Sequence, residues 1–128
     1  MKKPYLTLVP AILAIQGFLA MLAPNSFIQG GAAMADAAQL HAVRSFGGLY
    51  LGMAAFLVAA RFTPAMRDSG VLAAVLAIAG LLAGRTVSFI ADGLAAPGLF
   101  ASALVELALL AWGGVILRRG IRRDKPQG

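Results

Sequence analysis

The sequence contains no cysteine, one histidine and few charged residues, which make up 12% of its 128 positions. The lack of cysteine excludes disulfide bonds, thiol chemistry and cysteine-ligated zinc sites. Soluble domains carry about 25% charged residues, whereas 60% of this chain is hydrophobic. The composition therefore predicts an integral membrane protein that is surrounded by the lipid bilayer and needs no metal or cofactor.

The basic residues outnumber the acidic residues by 11 to 5, which gives the chain a net charge of +6. They are spread along the chain and flank its apolar runs, as topology signals do, so we expect no nucleic-acid partner. Basic residues beside spanning helices mark the cytoplasmic side, which predicts that both chain ends are cytoplasmic. These basic flanks are Lys2 and Lys3, Arg61 and Arg67, and Arg118, Arg119, Arg122, Arg123 and Lys125.

Four apolar runs are long enough to cross a bilayer, whose hydrocarbon core needs about 20 helical residues. The predicted spans are 5–23, 37–61, 71–92 and 99–117, and residues 118–128 form a basic cytoplasmic tail. The predicted fold class is all-α: a single domain, residues 1–128, that forms a multi-pass four-helix bundle in the bacterial inner membrane. The alternative is a signal peptide cleaved at 33–35. We expect the first span to be retained, because its apolar run exceeds the usual 7–15 residues.

Each predicted span contains a strongly polar residue, and Arg85 is the most costly of them. An arginine at the centre of a spanning helix costs about 2.5–3.5 kcal/mol on insertion scales, so it requires a partner. At 1.5 Å per residue, the polar residues of the four spans lie about 10–12 Å from the predicted outer ends. The predicted ligand or ion-pair layer consists of Gln16, Arg44, Arg85 and Glu106, with Ser88 and Asp92 on the Arg85 face of the third span.

The charges of this layer sum to zero, as a low-dielectric interior demands. The expected contact joins Arg85 to Glu106, while Arg44 either shares Glu106 or reaches Asp92. Two interpretations remain open. The layer fixes the register of the helices, or it lines a cavity open to the outer side in which Glu106 titrates or the arginines hold an anionic group.

Glycines at every fourth position allow two helices to approach closely. The second span contains Gly48 and Gly52 at this spacing, and the third contains Gly80 and Gly84. We expect these four glycines to be helix-packing positions, either within the chain or in a homo-oligomer.

The sequence contains no metalloprotease, nucleophile-elbow or phosphate-loop motif, so we expect that the protein is not an enzyme. Three functional hypotheses follow. The first is a small structural or accessory membrane protein. The second is a protein that binds or transports a small anionic or lipid-like ligand in an outward-facing pocket. The third is a proton-coupled exporter that uses Glu106.

Three segments together resemble a known family. They are Arg44-Ser45-Phe46-Gly47-Gly48-Leu49-Tyr50-Leu51-Gly52, Gly84-Arg85-Thr86-Val87-Ser88 with Asp92-Gly93, and Glu106-Leu107. This pattern is similar to that of the DUF4345 domain family, an uncharacterised bacterial group of small four-span membrane proteins. The resemblance extends from the first span to the fourth. The resemblance implies a four-helix bundle in the inner membrane and does not indicate an activity.

Overall fold

The computed structural model describes residues 1–26, 37–92 and 97–123, and at 26, 92, 97–100 and 121–123 it describes the backbone alone. The alternative cleavage site at 33–35 therefore lies outside the described residues. The same holds for the side chain of Asp92 and for the last five residues of the predicted tail.

Four long helices make up most of the described chain: α1 Lys2–Leu22, α2 Ala37–Phe62, α3 Arg67–Asp92 and α4 Pro97–Arg123. Short 3-10 turns follow α1 at Pro24–Ser26 and connect α2 to α3 at Pro64–Met66. All four helices are long and apolar enough to cross a membrane. The fold class over the described ranges is therefore all-α, with the four candidate spans of a small multi-pass membrane protein.

The helices extend beyond the predicted spans at the end of the fold that carries most basic residues. α3 begins at Arg67 rather than at 71, and α4 continues to Arg123 rather than ending at 117. The length of an apolar run reflects the thickness of the hydrocarbon core and not the full length of the helix. Arginine is a good helix former, so the helical hydrogen bonds continue beyond the apolar run into polar surroundings. Residues 118–123 of the predicted tail are consequently helical.

α1 and α3 are the two central helices, because each of them contacts the other three. α3 packs against α2 and α4, whereas α2 and α4 do not approach each other within the described ranges. α1 and α3 therefore lie between α2 and α4. The core follows α1, and its largest fully buried side chains are Tyr5, Leu6, Val9, Leu57 and Val71.

α1 and α2 approach each other closely where the buried glycines Gly17 and Gly47 meet. A Cβ atom added to either glycine would lie 2.9 Å from the carbonyl oxygen of the other. The four glycines predicted for packing are placed differently. Within the described chain, open space surrounds the Cβ positions of Gly48, Gly52, Gly80 and Gly84. They do not form the helix contacts of this chain, and their packing in a homo-oligomer stays a prediction.

An aromatic contact joins α4 to α1. Tyr5 is fully buried, and its ring meets the ring of Trp112 edge to face, with 5.3 Å between the centroids and 82° between the planes. Such pairs contribute about 0.5–1.5 kcal/mol beyond their buried area. A Cβ atom at the neighbouring Gly113 would collide with the Tyr5 hydroxyl, so the contact accounts for the glycine at that position.

We predict that Gly47→Ala destabilises the protein, because the new methyl group meets the Gly17 carbonyl oxygen at 2.9 Å and the Ala20 Cβ at 3.1 Å. Overpacking of this kind costs about 1–3 kcal/mol. The matched control is Gly48→Ala, whose methyl group enters open space. We expect it to be neutral or slightly stabilising, because alanine is the better helix former. Thermal unfolding in one detergent measures both, and equal melting temperatures would contradict the α1–α2 crossing.

Candidate functional site

An ion pair between α3 and α4 forms the centre of the candidate site. Arg85 lies in the second half of α3, and Glu106 lies in the first half of α4, so the two helices bring them together. The Nε of Arg85 donates to Oε1 of Glu106 at 3.1 Å and to Oε2 at 3.0 Å. A terminal guanidinium nitrogen, Nη2, lies 3.0 Å from Oε1. The predicted contact between Arg85 and Glu106 is therefore present.

The carboxylate is the more deeply buried partner of this pair. The Glu106 side chain is 8% exposed, whereas the Arg85 side chain is 24% exposed. Both carboxylate oxygens accept hydrogen bonds from one guanidinium, so the negative charge is neutralised where it is least accessible. Burial removes the hydration of each ion, which costs several kcal/mol. Charge-assisted hydrogen bonds of this kind are needed to offset that cost.

Arg85 also lines a cavity of about 520 Å³ between α2 and α3, which we call the arginine cavity. Because Gly80 and Gly84 carry no side chains, the α3 side of this cavity stays open. Arg85 is the one charged residue that the described chain contributes to its wall. The rest of the wall comprises Leu13, Phe46, Leu49, Tyr50, Met53, Ala77, Gly80, Leu81 and Gly84.

Glu106 lines a second cavity, of about 240 Å³, among α1, α3 and α4, which we call the glutamate cavity. Gln16 and Ser102 supply its other polar side chains. Leu13 and Leu81 belong to the walls of both cavities. The ion pair therefore links the two spaces, with the cation on the wall of one and the anion on the wall of the other.

Only part of the predicted polar layer comes together around the ion pair. Gln16 lines the glutamate cavity with Glu106, whereas Arg44 is exposed and does not share Glu106 in the described chain. Arg44 precedes the cavity residue Phe46 by two positions, which places it about 200° around α2 from that wall. Ser88 is exposed and lines neither cavity. The alternative contact of Arg44 with the Asp92 side chain lies outside the described residues.

The contribution of α2 to the site was missed by the sequence reasoning. Phe46, Tyr50 and Met53 occupy positions i, i+4 and i+7, which share one helix face, and all three line the arginine cavity. The spacing was visible in the sequence. It did not single out a cavity, because a stripe of aromatic and aliphatic residues is equally typical of ordinary helix packing.

The chemistry available at this site is electrostatic. No group of three or more His, Cys, Asp or Glu residues in the described ranges could hold a metal ion. A guanidinium has five N–H donors, and Glu106 engages those on Nε and Nη2. Donors therefore remain for a second anion in the arginine cavity, where low-dielectric surroundings strengthen a charge-assisted hydrogen bond.

We predict strong coupling between Arg85 and Glu106 in a double-mutant cycle on stability in detergent. Arg85→Ala leaves a buried carboxylate without its partner, and Glu106→Gln removes the charge that neutralises Arg85. Breaking a buried pair from one side costs about 3–5 kcal/mol. The double variant should therefore lose much less stability than the sum of the single losses. Additive losses would show that the two charges do not stabilise each other.

The chain matches a family model. A family model described as "Domain of unknown function (DUF4345)" covers residues 1–117. This range includes both residues of the ion pair and the complete walls of the arginine and glutamate cavities. No curated protein and no solved structure matches the chain. Because the matched range is most of its length, the chain belongs to the DUF4345 family, a domain family of unknown function.

Proposed function

We propose that this protein binds a single-chain anionic amphiphile in the arginine cavity and is a binding protein rather than an enzyme. The supporting observation is that Arg85 is the one charged residue of the described chain on the wall of an otherwise largely apolar cavity of about 520 Å³. Small-molecule sites measure about 300–1,000 Å³ and combine a mostly apolar wall with a few polar groups. In the proposed complex the apolar wall holds the hydrocarbon chain, and Arg85 holds the anionic head.

We further propose that the protein lies in the bacterial inner membrane with both chain ends in the cytoplasm. Support comes from the basic residues at the start of α1, at the α2–α3 connection and at the end of α4, which is the positive-inside pattern. In this orientation Arg85 lies in the outer half of the membrane, so the arginine cavity would receive ligands from the outer leaflet.

Glu106 supplies the proposed site with its own counter-ion. Without ligand, it neutralises Arg85 and keeps the guanidinium from being a lone charge among apolar helices. An incoming carboxylate competes with Glu106, because one cation cannot neutralise two anions. Ligand affinity should therefore fall when the charge of Arg85 is removed and rise when the charge of Glu106 is removed.

The test uses dodecanoate as the probe and dodecan-1-ol as its uncharged counterpart, with the full chain in phosphatidylcholine nanodiscs. A ligand that binds the folded state raises the melting temperature, so we expect dodecanoate to stabilise the protein more than dodecan-1-ol does. Arg85→Gln should remove this difference, whereas Arg85→Lys should retain it. Glu106→Gln should bind dodecanoate about tenfold more tightly, which corresponds to about 1.4 kcal/mol.

A steric variant separates ligand binding from the stability of the ion pair. Gly80→Leu fills the arginine cavity without removing either charge, and it should abolish the dodecanoate effect. Gly52→Leu is its matched control, because it also places a side chain in open space but lies outside that cavity wall. Equal dodecanoate binding by these two variants, or equal stabilisation by dodecanoate and dodecan-1-ol, would refute the proposed function.

A structural or accessory role is the second candidate, and the contact of one guanidinium with both oxygens of Glu106 favours it. In this case the ion pair only stabilises the packing of α3 against α4. Dodecanoate should then leave the melting temperatures of the wild-type protein and of all variants unchanged. Proton-coupled export is an extension of the first proposal. It requires a pH-dependent flux in liposomes that Glu106→Gln abolishes, and an unchanged flux in that variant would exclude it.

A further inference from the structure

A third cavity, of about 560 Å³, lies where α1 and α3 begin and α4 approaches its end, and we call it the basic cavity. It is far from the ion pair, because Arg67 on its wall and Arg85 are 18 residues apart in α3, or about 27 Å along the helix. The basic cavity is therefore separate from the arginine cavity. Its wall is formed by residues 1–4, Arg67, Ile116, Arg119 and Gly120.

Positive charge dominates this wall. Lys2, Lys3, Arg67 and Arg119 contribute four cationic side chains, and the nearby carboxylate of Asp68 forms an ion pair with Lys2. Four positive charges and one negative charge leave a net charge of +3 among these described residues. Cations confined around one cavity repel each other, so an anion bound between them would lower the electrostatic energy.

Local contacts hold the two arginines of the wall. Arg67 donates from Nε to the carbonyl oxygen of Arg61 at 3.2 Å. Arg119 donates from Nη1 to the sulfur of Met1 at 2.9 Å. Each contact occupies one guanidinium nitrogen, and the other nitrogens keep the planar arrangement of donors that fits phosphate oxygens.

One free helix start lies on the wall of the basic cavity, because α1 begins at Lys2 without a side-chain cap. α3 continues directly from the 3-10 turn, and the Arg67 N–H donates to the carbonyl oxygen of Pro64. The first turn of a helix carries partial positive charge and unpaired N–H groups, which favour bound anions. The backbone and the side chains therefore contribute charge of the same sign to this cavity.

We propose that the basic cavity binds the phosphodiester group of an anionic glycerophospholipid. A lipid is favoured over a soluble anion because Pro4 and Ile116 add apolar surface to the wall. The cavity also lies at the ends of helices that are long and apolar enough to cross a membrane. Basic pockets between spanning helices on the cytoplasmic side bind lipid headgroups in this way. This proposal does not depend on ligand binding at Arg85.

The experiment adds phosphatidylglycerol or phosphatidylcholine with identical acyl chains to the full chain in nonionic detergent and follows the melting temperature. We expect phosphatidylglycerol to stabilise the protein and phosphatidylcholine to have a much smaller effect. Arg119→Gln and Lys3→Gln should each weaken the apparent affinity for phosphatidylglycerol about fivefold, as expected for one basic residue at a membrane surface. Two variants are used so that the test survives if one of them folds poorly.

Arg118→Gln is the matched control, because Arg118 is exposed, adjacent to Arg119 and absent from the cavity wall. It should retain the wild-type affinity for phosphatidylglycerol. If Arg118→Gln and Arg119→Gln weaken the affinity for phosphatidylglycerol equally, the effect depends on net charge alone, and the proposal is overturned. Equal stabilisation by the two lipids, or by inorganic phosphate at the same concentration as phosphatidylglycerol, would also overturn it.

Discussion

The pairing of Arg85 with Glu106 is the constraint on which the interior of this protein depends. A lone charge among apolar helices would cost several kcal/mol, so each residue requires the other at hydrogen-bonding distance. The two oxygens of Glu106 meet Nε and Nη2 of Arg85 within 3.0–3.1 Å. That geometry joins α3 to α4 through one pair of side chains. It also decides which cavity receives the cation and which receives the anion.

Packing along the rest of the fold is uneven, and this unevenness creates the arginine cavity. The backbones of α1 and α2 come together where Gly17 faces Gly47. In contrast, Gly80 and Gly84 of α3 face open space, and the larger side chains of α2 leave a space in front of them. Glycines therefore have two roles in this chain. One pair allows close contact, and the other pair leaves open space at the surface of α3.

Charge is distributed in two contrasting ways along the helices. Among the described residues, the interior holds one neutral pair, whose two charges cancel. One end of the helices holds an excess of cations around the basic cavity, and there the carboxylate of Asp68 is paired with Lys2. The first arrangement is neutral by itself, whereas the second carries net positive charge. The arginine cavity and the basic cavity therefore differ in the charges around them and in their position along the helices.

The sequence by itself determined the four candidate spans, the all-α fold class and the pairing of Arg85 with Glu106. Length and hydropathy identify helices that can cross a bilayer. Two opposite charges at the same calculated depth are expected to pair, because an unpaired charge among apolar helices is costly. The orientation of the chain in the membrane follows from the same patterns but stays a prediction.

Only the tertiary structure decided which faces of the helices meet. Gly47 and Gly48 are neighbours in sequence with the same side chain, yet one contacts Gly17 and the other faces open space. Their directions differ by about 100° around α2, and only the rotation of that helix against α1 selects between them. The same rotation brings Phe46 and Tyr50 to the arginine cavity and turns Arg44 away from it. Helix rotation depends on the summed packing of all four helices, which no local sequence pattern contains.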